Sequence, residues 1–488
     1  MSIGRPFDKI LIANRGEIAI RVMRACREMG IATVAVYSDA DANAIHRRYA
    51  DEAHHIGGPA ARDSYLQLDR IVHLAAEVGA GAIHPGYGFL SERPELPEAC
   101  AAAGIKFVGP PASAMRTLGS KLAARQLAVA SGVPVASGSP AITDIKQGLE
   151  CAGEIGFPVI IKPSGGGGGI GMKVVERAED LAAALTAAAA AAQAAFGDPT
   201  VFLERYLRNP RHVEFQILAD SHGQVIHLGE RECSLQRRHQ KIMEETPSPA
   251  LTEEVREQMG EAAVRVARAA GYQNAGTVEF VFADGAFYFL EVNARLQVEH
   301  PITESVTGVD LVKEQIRIAA GEPLSRSQSE SGSTGHSIEM RINAEDPARG
   351  FAPDPERIRH WVAPGGPGVR VDSGFGPGSQ VPPNYDSLLA KLIVHGRDRA
   401  EAIARAERAL SEFVLTGPKT TIPFHRAILA EPDFRAGRLS THFIEDHPAL
   451  LERARGLAAE VSALDYGPDP RQVAAAAAAV AALTGRRQ

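Results

Sequence analysis

Three groups of residues in this 488-residue chain carry chemistry by type and spacing. The segment 277–293, TVEFVFADGAFYFLEVN, reads as two apolar strands around Asp284 and Gly285, and it holds Glu279, Glu291 and Asn293. With a two-residue Asp-Gly loop the glutamates point to opposite faces, whereas a three-residue loop with Gly285 left-handed makes them direct cross-strand neighbours. As neighbours in an apolar hairpin they would repel one another and resist burial, and a divalent cation removes both penalties. Asn293 shares a face with Glu291 and adds a neutral oxygen, an all-oxygen set suited to Mg2+ held with nucleotide phosphates. At a solvated edge, one acid on each face, the same residues have no such role.

The second group is PVIIKPSGGGGGIG at 158–171, where Gly165, Gly166, Gly167, Gly168 and Gly169 follow a buried-type strand ending at Lys162. Glycines let backbone N–H groups approach an anion closely, so the run reads as a lid over phosphates or as a plain linker; the strand and lysine before it favour the lid. No GxxxxGK[ST] pattern occurs, so a Walker-type site is not supported. Lys121, at a helix start in LGSKLAAR, is either a phosphate partner or a solvated lysine. The third group follows the hairpin. Arg295, Gln297 and Glu299 are spaced by two, so an extended segment points all three to one side, where a guanidinium fork holds a small planar oxyanion and a carboxylate acts as base. Taken singly, each reads as a surface ion-pair residue. Arg237, Arg238, His239 and Lys241 form a basic cluster next to Glu244 and Glu245, and His84 in HPGYG reads as a loop histidine.

These residues need a framework. Residues 9–37 read as strand, turn, amphipathic helix and strand, a βαβ unit within an open, mostly parallel sheet over the first 120 residues. The first turn, ANRGEIA, lacks the three-glycine fingerprint of a dinucleotide site. A boundary near Ser131 leads to a compact piece ending about Tyr206, with an alanine-rich helix around 179–195; alternating strand patterns fill roughly 207–446. The last forty residues read as helix and frayed tail. A net charge of -7, from 52 basic and 59 acidic residues, argues against nucleic acid as the main partner. Four scattered cysteines suggest neither a zinc cage nor a disulfide framework and fit a cytoplasmic protein, and no stretch is apolar enough to span a membrane.

In order, IANRGEIAIRV, HPGYGFLSE, the five glycines, NPRHVEFQ, CSLQRRHQK, LEVNARLQVEHPITE and RINAEDP resemble the biotin carboxylase family over about residues 7–446. The resemblance implies an α/β and α+β multidomain protein. Its expected parts are a Rossmann-like N-terminal domain (1–120), an ATP-grasp domain (121–336, mobile lid about 134–206), a C-terminal biotin carboxylase domain (337–446) and a helical tail (447–488). It further implies that Lys121, Lys162, the lid glycines, Glu204, Leu207, His212, Gln236 and His239 contact ATP. Glu279, Glu291 and Asn293 would hold two Mg2+ or Mn2+ ions. Lys241, Arg295, Gln297 and Val298 would bind bicarbonate, Glu299 would deprotonate it, and Arg341 would stabilise the biotin enolate. The implied reaction is carboxylation of biotin through carboxyphosphate, the first half-reaction of an acetyl-CoA or other acyl-CoA carboxylase, with pyruvate or a urea-type compound as alternative acceptors. Biotin is expected as a carrier-bound substrate. No biotinyl-lysine sequence follows residue 446, so the biotin carboxyl carrier protein and carboxyltransferase are expected on separate chains. A homodimer through Arg24 and Arg370 is implied too.

The chain departs from the family pattern at Pro163, Ile170, Ala294 and Pro367. Another ATP-grasp ligase shares the lid and metal groups but not RLQVEHP and RINAEDP, and a scaffold without turnover is the non-enzymatic rival.

Overall fold

The computed structural model describes residues 5–165 and 171–462, so Gly166 to Gly169, Ile170 and the tail beyond 462 lie outside the described residues. Near the N-terminus, Ile10, Leu11 and Ile12 are wholly buried, as a strand covered on both faces requires. They lie on Lys9–Ile12, the centre of a five-stranded parallel sheet in the order Glu52–His55, Ala32–Tyr37, Lys9–Ile12, Ala82–His84, Lys106–Phe107. The turn after the first strand carries Gly16 at φ +67° and opens the helix Gly16–Glu28. This is the βαβ unit expected from the sequence.

The main scaffold is an eight-stranded antiparallel sheet in the order Ala286–Asn293, Asn274–Ala283, Arg211–Ala219, Val225–Arg237, Gln240–Thr246, His336–Asn343, Leu388–Gly396, Val369–Ser373. Its fifth strand, Gln240–Thr246, was not separated from the basic cluster in the sequence. Pairing between Gln240–Thr246 and His336–Asn343 carries the sheet without a break from the hairpin acids to Arg341. One sheet thus sets the relative position of charges more than sixty residues apart in the chain.

A smaller unit stands over this sheet. Strands Lys173–Val175, Val159–Pro163 and Val201–Arg205 pair antiparallel, and the helices Ile145–Ile155 and Ala178–Phe196 pack on them. Its separate core joins Ile161, Leu185, Val201 and Leu203 to the buried face of the alanine-rich helix, Ala184, Ala188 and Ala192. A core of its own allows such a unit to move as a body. Helix Ala449–Ser462 buries Leu450 and Ala454 against the C-terminal cluster. Among the described residues no helix is long and apolar enough to cross a membrane.

Candidate active site

The register that brings the acids together arises by a route the sequence reading did not weigh. The hairpin loop has two residues, with Ala283 opposite Ala286 and both Asp284 (φ +51°) and Gly285 (φ +76°) left-handed. That loop alone would separate Glu279 from Glu291. A bulge corrects it: Phe280 pairs with Phe289 and Glu279 with Glu291, leaving Leu290 as the extra residue. The expected three-residue loop is therefore absent, and the cross-strand pairing it was meant to explain is present.

The row extends further. Glu279 is also the partner of Glu214, and Glu214 of Arg231, so Glu291, Glu279, Glu214 and Arg231 run side by side across four strands. Three acids in a row need cations. Arg231, wholly buried, donates to Glu214 Oε1 (2.6 Å), Gln216 Oε1 (2.7 Å), Thr303 Oγ1 (3.0 Å) and Thr277 Oγ1 (3.0 Å). Lys241 Nζ donates to Glu214 Oε2, to Glu279 Oε1 at 3.0 Å and to Glu299 Oε1 at 2.7 Å. Burial opposes the charge on Lys241, but Glu214, Glu279 and Glu299 outweigh it and hold the ammonium well above its ordinary pKa.

Burial would push Glu279 up as well, yet Lys241 and His212 hold it well below the usual carboxylate range. Its Oε1 also accepts from Asn293 Nδ2 (2.8 Å) and Gln297 Nε2 (3.2 Å), and His212 Nε2 lies 3.1 Å from Oε2. Gln236 donates to His212 Nδ1 at 2.8 Å, which leaves the proton of a neutral His212 on Nε2, towards Glu279. Glu291 differs: burial and the neighbouring Glu279 push it up, and its nearest cation, Lys121 Nζ, is 3.7 Å away. A pair of facing acids with one under-compensated member, beside an amide oxygen, fits a hard divalent cation.

Arg295, Gln297 and Glu299 do converge, although not on the expected extended segment. The chain bends at Arg295 and turns at Val298 and Glu299, and Glu299 is the residue before helix His300–Thr307. Arg295 donates to Gln297 Oε1 (2.9 Å) and Asn293 Oδ1 (3.0 Å), tying this segment back to the hairpin. Glu299 is wholly buried and does not cap its helix; Lys241 takes one oxygen and Arg341 Nη2 donates to the other at 2.9 Å. Against the cost of burial, Lys241 and then Arg341 keep Glu299 well below the usual carboxylate range. Val298 offers its backbone oxygen to Lys391 at 2.9 Å.

Glu279, Glu291, Asn293, Arg295, Gln297, Val298, Lys241 and Arg341 line one cleft of about 950 Å3 between the parallel sheet, the large sheet and the small unit, with Glu299 buried behind Lys241 and Arg341. Lys121, Lys162, Glu204, His212, Gln236 and His239 line it too. Lys162 and Arg125 both bind Glu204, Arg125 at 2.8 Å. Leu207 follows Val201–Arg205 without lining the cleft, and of the glycine run Gly165 alone lies among the described residues. The basic cluster turns between two strands at Arg238 (φ +51°) and His239 (φ +64°), which sets Lys241 opposite Gln236. His84 corrects the reading as a loop histidine. It ends strand Ala82–His84, wholly buried, with Nδ1 accepting from Gly86 N at 3.0 Å.

Of the departures, Ala294 packs in the apolar cluster with Phe289 and Val292. Pro163 closes its strand opposite Val201 and lies against Gly171. Arg370 binds Glu304 (2.7 Å) and Asp372 (2.6 Å) within the chain, while Arg24 is partly exposed 3.8 Å from Asp372. The sequence reading missed Arg125, Glu214 and Arg231, and gave Glu244 no role beyond flanking the basic cluster. A signal for Glu214 was present: in HVEFQILA the alternation puts His212, Glu214 and Gln216 on one face, opposite Val213, Phe215 and Ile217.

Three family models match in succession: biotin carboxylase N-terminal domain over residues 6–115, carbamoyl-phosphate synthase L chain ATP binding domain over 120–327, and biotin carboxylase C-terminal domain over 339–446. The chain is 56% identical over 456 residues to a pyruvate carboxylase subunit of Methanothermobacter thermautotrophicus, covering 93% of this chain and 92% of that one. It is 52% identical over 445 residues to biotin carboxylase 1 of Bacillus subtilis, covering 91% and 99%. The biotin carboxylase domain dimer of Hydrogenobacter thermophilus 2-oxoglutarate carboxylase, solved with MgADP, ADP and bicarbonate, superposes with a TM-score of 0.88 at 47% identity, covering 91% and 98%. With the carboxylate row, the buried Glu299 and these matches along almost the whole chain, the protein belongs to the biotin carboxylase family.

Proposed function

We propose that this protein uses MgATP and bicarbonate to carboxylate biotin borne on a separate carrier protein. The observation that carries the reading is Glu299, a wholly buried carboxylate held ionised between Lys241 and Arg341, both of which line the cleft. In this reading Glu279, Glu291 and Asn293 hold magnesium or manganese, which neutralises phosphate charge when bound. Lys121, Lys162, Glu204, His212, Gln236 and His239 bind ATP, with Leu207 beside it and the glycine run from Gly165 over its phosphates. Arg295, Gln297, Lys241 and the backbone of Val298 orient bicarbonate.

Glu299 then takes the bicarbonate proton, and the freed oxygen attacks the γ-phosphorus of ATP, giving carboxyphosphate and ADP. Carboxyphosphate separates into CO2 and phosphate, and the phosphate removes the proton from the biotin ureido nitrogen. Negative charge develops on the ureido oxygen, faced by Arg341, while the nitrogen attacks CO2. The proposed parts are those read from the sequence: 1–120, 121–336 with its lid, 337–446 and the tail. A cytoplasmic homodimer, joined through the face bearing Arg24 and Arg370, is the proposed assembly.

The proposed final acceptor is acetyl-CoA or another acyl-CoA, reached through a carboxyltransferase on another chain. Pyruvate is the second reading, supported by the relative named for pyruvate carboxylase. ADP release that requires bicarbonate and rises with free biotin tests the activity; release indifferent to biotin sinks it. Isolating the biotinylated partner with its transferase, and assaying acetyl-CoA against pyruvate, decides the acceptor.

A further inference from the structure

Beside Arg341 the large sheet buries two acids that the proposed reaction leaves idle. Glu244 and Glu339 are direct partners on strands Gln240–Thr246 and His336–Asn343, with 1% and 0% exposure. Glu244 Oε1 accepts from Arg341 Nε at 2.7 Å. Glu244 Oε2 and both oxygens of Glu339 have no hydrogen-bond partner among the described residues. Two ionised acids at a cross-strand separation of about 5 Å, shielded from water, would repel strongly with most of their oxygens unsatisfied. One proton between them resolves the geometry. A hydroxyl on Glu339 can donate to Glu244 Oε2, while Glu244 Oε1 keeps the charge that Arg341 binds.

We propose that Glu244 and Glu339 share one proton and act together as positioning residues, holding the Arg341 guanidinium against the cleft. The inference rests on the role given above to Arg341. Glu244 and Glu299 grip Arg341 through Nε and Nη2, leaving Nη1 without a hydrogen-bond partner among the described residues, at the cleft wall.

The charges around the pair support one proton rather than none. Lys241 lies on the strand of Glu244 and spends its hydrogen bonds on Glu214, Glu279 and Glu299. Arg341 comes from the strand of Glu339, Glu299 from the turn before helix His300–Thr307, and Cys233 from Val225–Arg237. Lys391, on Leu388–Gly396, is the remaining cation near Glu339. Its ammonium instead donates to Val298 O (2.9 Å) and stands 3.1 Å from Glu17 Oε1, and Tyr87 also donates to Glu17. Burial pushes both acids of the pair up, Glu244 to about 7 against the pull of Arg341, and Glu339 well above the usual range against that of Lys391.

Infrared difference spectroscopy of the ligand-free full-length protein reads the proton directly. At about pH 7 a protonated-carboxyl C=O band is expected in the wild type and lost in Glu339→Gln. In kinetics, Glu339→Gln replaces the acid hydroxyl that stabilises the charge on Glu244 with a weaker amide donor, so the acidic limb of the kcat profile moves up by roughly half a pH unit or more. Glu244→Gln eliminates that limb and lowers kcat for biotin carboxylation about tenfold or more, with KM for ATP within about twofold. A wild-type spectrum without the band, an unmoved limb in Glu339→Gln, or wild-type kcat in Glu244→Gln overturns the proposal. A band present in protein that releases no ADP with bicarbonate and biotin supports the shared proton and removes the functional reading instead.

Discussion

Lys241 Nζ donates to Glu299 Oε1 at 2.7 Å while the same ammonium donates to Glu279 Oε1 at 3.0 Å, so one cation joins the proposed base to the proposed metal ligands. Removing charge from Glu299 therefore has a local and a linked effect. Glu299→Gln retains shape but cannot accept a proton, and kcat for biotin carboxylation is expected to fall by about 10^2-fold or more. Arg341→Ala is expected to lose most biotin-dependent turnover by a separate route, the unstabilised oxygen of biotin. Equilibrium ATP binding should stay within about threefold of wild type in both. Weakened ATP binding at unchanged turnover would reverse the roles assigned to these two residues.

Glu291 offers a test of the metal reading that does not need turnover. It is the acid pushed up by burial and by Glu279, with Lys121 no nearer than 3.7 Å, so its charge is in need of a further cation. Glu291→Gln should weaken Mn2+ binding about tenfold, read by paramagnetic relaxation of solvent water in the presence of ADP. Equal Mn2+ affinity in variant and wild type would remove Glu291 from the ligand set.

The strands bearing these groups were legible because alternation and apolar runs are local signals. The pairing of Glu279 with Glu291 was legible only as an alternative, since loop length and bulge both set register and the Leu290 bulge leaves no mark in the residue pattern. Convergence of Arg295, Gln297 and Glu299 was anticipated from their spacing, but a bend and a turn deliver it, through bonds to Asn293 and Lys241 that join distant strands. Arg231 and Glu214 were passed over because a lone charge on a strand reads as solvated until the second face of the sheet is known to be covered. His84 shows the same limit: nothing in HPGYG reveals that the strand before it is central enough to bury its last residue.

Arg231 is the structural end of the acid row, and its loss leaves Glu214 without a partner for Oε1 deep in the sheet. Arg231→Met fits the space and supplies no charge. The expected penalty is about 3–5 kcal/mol, seen as a lower urea midpoint with an unchanged m value. Glu214→Gln in the Arg231→Met background should restore part of that loss, because it removes the ionised oxygen left unpaired at Oε1, while Lys241 keeps Glu279 and Glu299 as partners. A double variant no more stable than the single one would mean that the packing of Arg231, rather than its pairing with Glu214, maintains this region.

Buried histidines set the acid limit of the fold. Burial holds the imidazole of His84 down at about 3, and those of His46 and His425 at about 4, so all three stay neutral in the folded chain well below the pH at which the unfolded chain protonates them. Their folded pKa values are depressed, so the stability they permit is complete above the unfolded value of about 6.5 and falls as the unfolded state takes up protons below it. The decline runs from about pH 6.5 down to about 4, where His46 and His425 begin to protonate in the folded state as well. These three sites together contribute about 4 kcal/mol per pH unit to the slope in the middle of that window. Urea titrations at several pH values measure it, and His84→Asn should reduce the slope by about 1.4 kcal/mol per pH unit while lowering stability at neutral pH through the lost packing. A slope unchanged in His84→Asn would show that this histidine takes up its proton equally in both states, against its burial at the end of its strand in the parallel sheet.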